Sequence, residues 1–140
     1  MQIVSITSSE YDAIYDIYTK ARSSNITNTK SDLTFLQFQQ DIKGESIFVS
    51  KINSQIVGYI SLWEPDNFVH HLYIMPQFQN NGIGNKLLEW CKKKYGLPLS
   101  LKCEEANYLA QRFYEINGWR VEDKGVGGDG PYLLYVLRNR

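Results

Sequence analysis

Apolar positions along this chain change their period several times, and each change marks an element. Residues 2–6 alternate polar and apolar and predict a short strand. Ile14, Ile17 and Tyr18 recur at helical spacing and predict a helix over residues 9–22. Ser8 or Ser9 stands ready as its cap, with Asp12 placed for a capping-box contact. The polar stretch 23–30 predicts a loop. Asp32 is placed to cap a second helix through Leu33, Leu36, Phe38 and Ile42, closed near Gly44. Residues 46–53, 56–63 and 68–75 read as three strands of a meander, parted by Asn53-Ser54-Gln55 and Glu64-Pro65-Asp66-Asn67.

A helix follows over residues 82–95, with Ile83, Leu87, Trp90 and Cys91 as its core stripe and Gly96-Leu97-Pro98 as its stop. Residues 99–103 predict a strand. Residues 106–117 predict a helix stopped by Gly118, with Leu109, Phe113 and Ile116 toward the core. Residues 119–122 and 132–137 predict a last pair of strands around a glycine-rich loop, 123–131. The order is strand, two helices, three strands, helix, strand, helix, two strands. That is a mixed α/β (α+β) domain with a mostly antiparallel central sheet and flanking helices. The third strand, its helix and the next strand should form a parallel right-handed crossover.

The chemistry concentrates where that crossover begins. An apolar strand enters Gln79, Asn80, Asn81, Gly82, Ile83 and Gly84, and an amphipathic helix leaves it. Free amides of a first helical turn point at whatever lies beyond it, and the helix dipole favours negative charge there. A phosphate-bearing ligand is therefore expected. A dinucleotide fingerprint needs a third glycine where Leu87 stands, and no Gly-Lys-Ser/Thr follows for a P-loop. On the last helix Asn107, Ala110 and Tyr114 share one face, offering an amide, a small residue and a phenol to a ligand.

Composition narrows the partners. Fifteen basic and fifteen acidic residues leave zero formal charge, which gives no electrostatic reason for a nucleic acid or an anionic membrane as partner. With 140 residues, 43% of them apolar, the chain is expected to be one domain, 1–140. Cys91 and Cys103 have no metal-motif spacing, so buried reduced thiols and no metal are expected. The first residues lack a basic, apolar leader, and a cytoplasmic protein is expected.

Leu72-x-Ile74-x-Pro76-x-x-Gln79-x-x-Gly82-x-Gly84, followed by Leu87-Leu88, resembles the acetyl-CoA signature of the GCN5-related N-acetyltransferase (GNAT) family. Asn107-x-x-Ala110-x-x-Phe113-Tyr114-x-x-x-Gly118-Trp119 resembles that family's second signature. The resemblance implies transfer of acetyl from acetyl-CoA to a primary amine by direct attack. It implies pyrophosphate binding at residues 79–84, pantetheine along the backbone of Leu72, Tyr73 and Ile74, and further cofactor contacts at Asn107, Ala110 and Tyr114. It makes Tyr114 the acid that protonates the leaving thiolate. A base must also take the amine's proton. His70 and His71 are the only histidines, and strand alternation places them on opposite faces, His70 with Phe68, Leu72 and Ile74. Base residues of several family members favour His70; His71, Glu64, Asp66 or a water remain alternatives.

The family's ribosomal-protein acetyltransferases carry a catalytic Glu where this chain has Lys102, so their mechanism does not carry over. Tyr132 and residues 23–30 border the acceptor pocket by the same resemblance. The acceptor, a small-molecule or peptide amine, is not legible, nor is the choice between monomer and homodimer. A non-catalytic acyl-CoA-binding or sensor domain on this scaffold is the alternative, and a nucleotide-binding module a remoter one.

Overall fold

Seven strands, β1 (Gln2–Ser5), β2 (Ser46–Ile52), β3 (Gln55–Trp63), β4 (Phe68–Ile74), β5 (Leu99–Glu104), β6 (Arg120–Gly127) and β7 (Gly130–Leu137), form one sheet. The computed structural model describes residues 1–23 and 33–139. The strand order is β1-β2-β3-β4-β5-β7-β6, and every neighbouring pair is antiparallel except β4–β5. Between β4 and β5 runs helix α3 (Ile83–Tyr95), as the predicted crossover requires. Helices α1 (Tyr11–Ser23) and α2 (Phe35–Asp41) connect β1 to β2, and α4 (Tyr108–Ile116) connects β5 to β6.

Alternation along β2 divides the core. Ile47 and Val49 join Ile14, Ile17, Tyr18, Phe38 and Tyr59 beneath α1 and α2. Phe48 joins Ile60, Leu62, Leu87, Leu101 and Trp119 on the α3 face. Each fully buried Leu or Ile contributes about 1.5–3 kcal/mol, so both faces stabilise the sheet.

Several local expectations shift. The start of α1 is fixed by Thr7, whose amide donates to Glu10 Oε1 at 2.9 Å; Ser8, Ser9 and Asp12 do not set it. Glu10 is held there because its other oxygen pairs with Lys51 Nζ at 2.7 Å. Thr34 caps α2 in a reciprocal capping box with Gln37. The predicted cap Asp32 and the predicted loop, apart from Ser23, lie outside the described residues. On α3, Leu88 takes the buried place expected for Trp90, which sits at the stripe's edge, 37% exposed against Phe48.

On α4 the expected phase holds at Phe113 and fails at Leu109 and Ile116. Leu109 and Ile116 are 84% and 73% exposed, and Ala110, Phe113 and Tyr114 meet the core. One face of this nine-residue helix meets the core, and Leu109 and Ile116 lie off it. The glycine-rich loop is also replaced. Strands β6 and β7 continue through it to a two-residue turn at Gly128-Asp129, closed by the Gly127–Gly130 pair.

Candidate active site

Pairing between β3 and β4 slips by one residue near its centre. Ser61 faces His71 while Leu62 faces Val69, so His70 is the extra residue of a β-bulge. The bulge resets the pleat. Val69 enters the α3-side core, whereas the His71 ring stacks on Tyr18, 5.5 Å between centroids, under α1. Expected on opposite faces, His70 and His71 instead stand with ring centroids 4.4 Å apart. His70 thereby parts from Leu72 and Ile74, which pack toward α3.

Both imidazoles turn their Nε2 atoms toward Asp41 at the end of α2, His71 at 3.3 Å and His70 at 3.5 Å from Oδ2. Their Nδ1 atoms are engaged elsewhere. His71 Nδ1 lies 2.9 Å from the Tyr59 hydroxyl, and His70 Nδ1 lies 2.6 Å from Glu45 Oε2. Burial pulls His71 below the usual histidine value, against the hydrogen bond to Asp41. Neutral His71 then donates its Nε2–H to Asp41 and accepts the Tyr59 hydroxyl, the tautomer that satisfies both contacts. Burial acts on His70 in the same sense. There the hydrogen bond and charge of Glu45, helped by Asp41, outweigh it and raise the imidazole above its usual value. Asp41 is held below the ordinary carboxylate value by the His71 hydrogen bond, against its own burial.

This group borders a cavity of about 900 Å³. The cavity lies where β4 and β5 part. They pair only at Phe68–Ser100 and Val69–Leu101, so from His70 to Ile74 the β5-facing edge of β4 has no strand partner. Tyr18 and Arg22 of α1, Asp41, the first six residues of β4, and Leu101, Lys102, Cys103 and Glu104 line it. Asn107, Ala110, Tyr114, the β6–β7 turn and Tyr132 complete the wall. Arg22 is 8% exposed; it donates to the Tyr73 hydroxyl at 3.4 Å and pairs with Asp129 at 3.3 Å, tying α1 to the β6–β7 turn. Lys102 Nζ stands 4.5 Å from the centroid of the Tyr132 ring.

Tyr114 packs against Trp119 and Tyr135, with centroids 5.7 and 5.6 Å away. Its hydroxyl makes no hydrogen bond among the described residues and borders the cavity. Burial raises it well above the usual phenol value, so it stays protonated at neutral pH. Burial likewise pushes the Cys103 thiol up to about 12, which removes it as a nucleophile. Asn107 Oδ1 caps α4 by accepting from the Ala110 amide at 3.2 Å. The cap engages the side-chain oxygen and leaves the side-chain NH2 as a donor.

The turn after β4 is shaped by its own side chains. Gln79 Nε2 donates to the Ile74 carbonyl at 3.0 Å, and Asn81 Nδ2 donates to the Phe78 carbonyl at 3.2 Å. Asn80 and Gly82 take left-handed backbone angles, φ 66° and 79°. No side chain caps α3, and the amides of Asn80, Asn81, Gly82, Ile83, Gly84 and Asn85 have no partner among the described residues. A Cβ at Gly82 would meet nothing within 4 Å. Unbonded amides, open approach and a helix dipole suit a pyrophosphate, so the residues present fit coenzyme A.

Of the expected site residues, His70, Leu72, Tyr73, Asn107, Ala110 and Tyr114 border the one cavity. Ile74 and residues 79–84 lie outside its wall, along the strand end and the turn that follows. Ile83 is buried and has only its amide to offer. Glu64 and Asp66 are off the cavity; Glu64 accepts from Ser46 and from Tyr95. Asp41 and Glu45 were not singled out from the sequence. Only Asp41 carried a signal, an acid at the end of α2, where the helix dipole favours cations, with no base in its last turn.

The site is thus a mixed sheet opened between two parallel strands, with an uncapped helix N-terminus beside the opening. The profile of the Acetyltransferase (GNAT) family matches residues 11–119, and the chain belongs to that family. An uncharacterized N-acetyltransferase of Archaeoglobus fulgidus is 30% identical over 98 residues, 60% of this chain and 66% of that protein. Solved structures share the fold. The GCN5-related N-acetyltransferase described as an aminotransferase, class-II, from Rhodopseudomonas palustris superposes with a TM-score of 0.84 at 14% identity, covering 99% of this chain and 95% of that one. The ribosomal-protein-alanine N-acetyltransferase of Brucella melitensis gives 0.74 at 18% identity over 99% and 100%. The PaiA N-acetyltransferase of Thermoplasma acidophilum, solved with coenzyme A, gives 0.75 at 18% over 99% and 100%. Among the described residues no helix is long and apolar enough to cross a membrane.

Proposed function

We propose that this chain acetylates a primary amine of a small molecule or peptide, with acetyl-CoA as donor, by direct attack of the amine on the thioester. The observation that carries the reading is that His70 and the unbonded Tyr114 hydroxyl border the same cavity, where β4 lacks a strand partner. The free edge of β4 at Leu72, Tyr73 and Ile74 suits pantetheine. Residues 79–84 suit the pyrophosphate, with Asn107 and Ala110 beside the arm. Backbone amides of the bulged strand are available to the developing oxyanion.

An alkylammonium near pKa 10 must lose a proton before it can attack. His70 takes that proton at Nε2, because Nδ1 is committed to Glu45. The amine nitrogen forms a bond to the acetyl carbon, and the carbon–sulfur bond breaks. Tyr114 gives its proton to the departing sulfur, leaving an acetamide and the free thiol of coenzyme A.

Release of free thiol from acetyl-CoA across a panel of amines tests this. We expect release with at least one amine and its loss in His70→Gln and Tyr114→Phe. If no amine gives release while acetyl-CoA still raises the melting temperature, the chain is an acyl-CoA-binding domain instead.

A further inference from the structure

Glu45 lies in the turn between α2 and β2, where its amide donates to the Ile42 carbonyl at 3.1 Å. Its side chain is 7% exposed. The Ser61 hydroxyl donates to one oxygen and His70 Nδ1 meets the other at 2.6 Å. Burying a carboxylate is costly unless a cation pairs with it. Among the described residues no Lys or Arg does so; the cation within reach is the His70 imidazolium. An arrangement this specific exceeds what a surface ion pair needs.

We infer that Glu45 is a positioning residue. Its buried carboxylate, braced by Ser61, fixes the His70 ring and the Nδ1–H tautomer, so that the lone pair falls on Nε2, which stands 3.5 Å from Asp41 Oδ2 and is the atom left to take the acceptor's proton. The inference rests on the reading of His70 as the base. Three charged groups set the proton affinity of His70, namely Glu45, Asp41 at the end of α2 and Lys102 from β5, and the neutral His71 ring stands beside it at 4.4 Å. Glu45 and Asp41 favour the imidazolium; Lys102 opposes it. The raised affinity makes His70 a stronger base than a free imidazole, and the fixed tautomer keeps its lone pair on one nitrogen.

The test is Glu45→Gln, which keeps the shape and removes the charge. Two readouts are taken: the pH profile of kcat/KM and the NMR titration of the His70 ring. We expect the His70 titration midpoint and the acid limb to move together to lower pH, by about one unit, the least expected from removing an adjacent opposite charge. The plateau should fall as well. An unmoved His70 titration overturns the role of Glu45. A titration that moves while the limb stays fixed leaves the Glu45–His70 coupling standing and overturns His70 as the base. Should Glu45→Gln fail to fold, the wild-type ring decides. Nitrogen-15 shifts of neutral His70 should report Nδ1–H as the sole tautomer, and an Nε2–H or mixed population overturns the proposal.

Discussion

The Tyr132 ring lies across Gly125 on the neighbouring strand, so close that a Cβ at Gly125 would stand 2.6 Å from the phenol oxygen. Glycine at this place is therefore a steric requirement of Tyr132, which walls the cavity and carries Lys102 above its ring. Gly125→Val should force the ring aside. We expect a loss of about 1–3 kcal/mol in urea unfolding, the usual cost of overpacking. KM for the acceptor should rise, with that for acetyl-CoA little changed.

Tyr114→Phe removes a hydroxyl that holds no partner among the described residues, so the fold should tolerate it. Unfolding midpoints should stay within the error of the wild type, and acetyl-CoA should still raise the melting temperature. Turnover should fall about 10²-fold or more, the usual effect of losing a positioned proton donor. A variant with unimpaired turnover would remove Tyr114 from the mechanism.

The pH profile follows from the direction of the His70 shift. A base must be neutral to act, and His70 is raised above 6.5. Activity should therefore climb with pH along a limb centred above 6.5. Lys102 opposes the imidazolium, so Lys102→Gln should move that limb to still higher pH, opposite in sign to Glu45→Gln. Stability runs the opposite way with pH. The His70 contribution is present in full below 6.5 and is lost as pH rises through the folded-state value.

Gly84 allows ligand and fold to be separated. It lies in the first turn of α3, where an added Cβ would approach Ile74 no closer than 4.0 Å. Gly84→Asp should stabilise the free protein by about 1 kcal/mol, because glycine is a poor helix residue and an acid suits a helix N-terminus. The same charge should repel a pyrophosphate. Calorimetry should find acetyl-CoA binding weakened tenfold or more, while the melting temperature of the free protein rises.

What was legible in the sequence was local. Glycine spacing, the strand ahead of it and the helix after it all lie within one continuous segment, and residues 79–82 form an exposed turn that leads into a helix with no side-chain cap. The shared wall of Asn107, Ala110 and Tyr114 followed from helical spacing. The pairing of His70 with His71 did not. It depends on a one-residue slip between β3 and β4, and register is a property of two strands. For the same reason Leu109 and Ile116 looked like core: periodicity marks an apolar face without saying whether anything lies against it. The glycines before Tyr132 read as loop because their reason, a ring crossing from the next strand, is absent from their own segment. Asp41 and Glu45 acquire their meaning from histidines 25 or more residues away.

The parting of β4 from β5 has a mechanical side. Only two residue pairs, Phe68–Ser100 and Val69–Leu101, bond β1-β2-β3-β4 to β5-β7-β6 across the sheet. Elsewhere α3, the side chains of the α3-side core and the Arg22–Asp129 pair link the halves. A ligand that bonds along the open edge of β4 acts as a short extra strand and closes this seam. The ligand-free protein should breathe there first. Amide exchange at Leu72 and Ile74, whose N–H groups face the open edge, should slow on ligand binding far more than exchange in β2, whose edges are already paired.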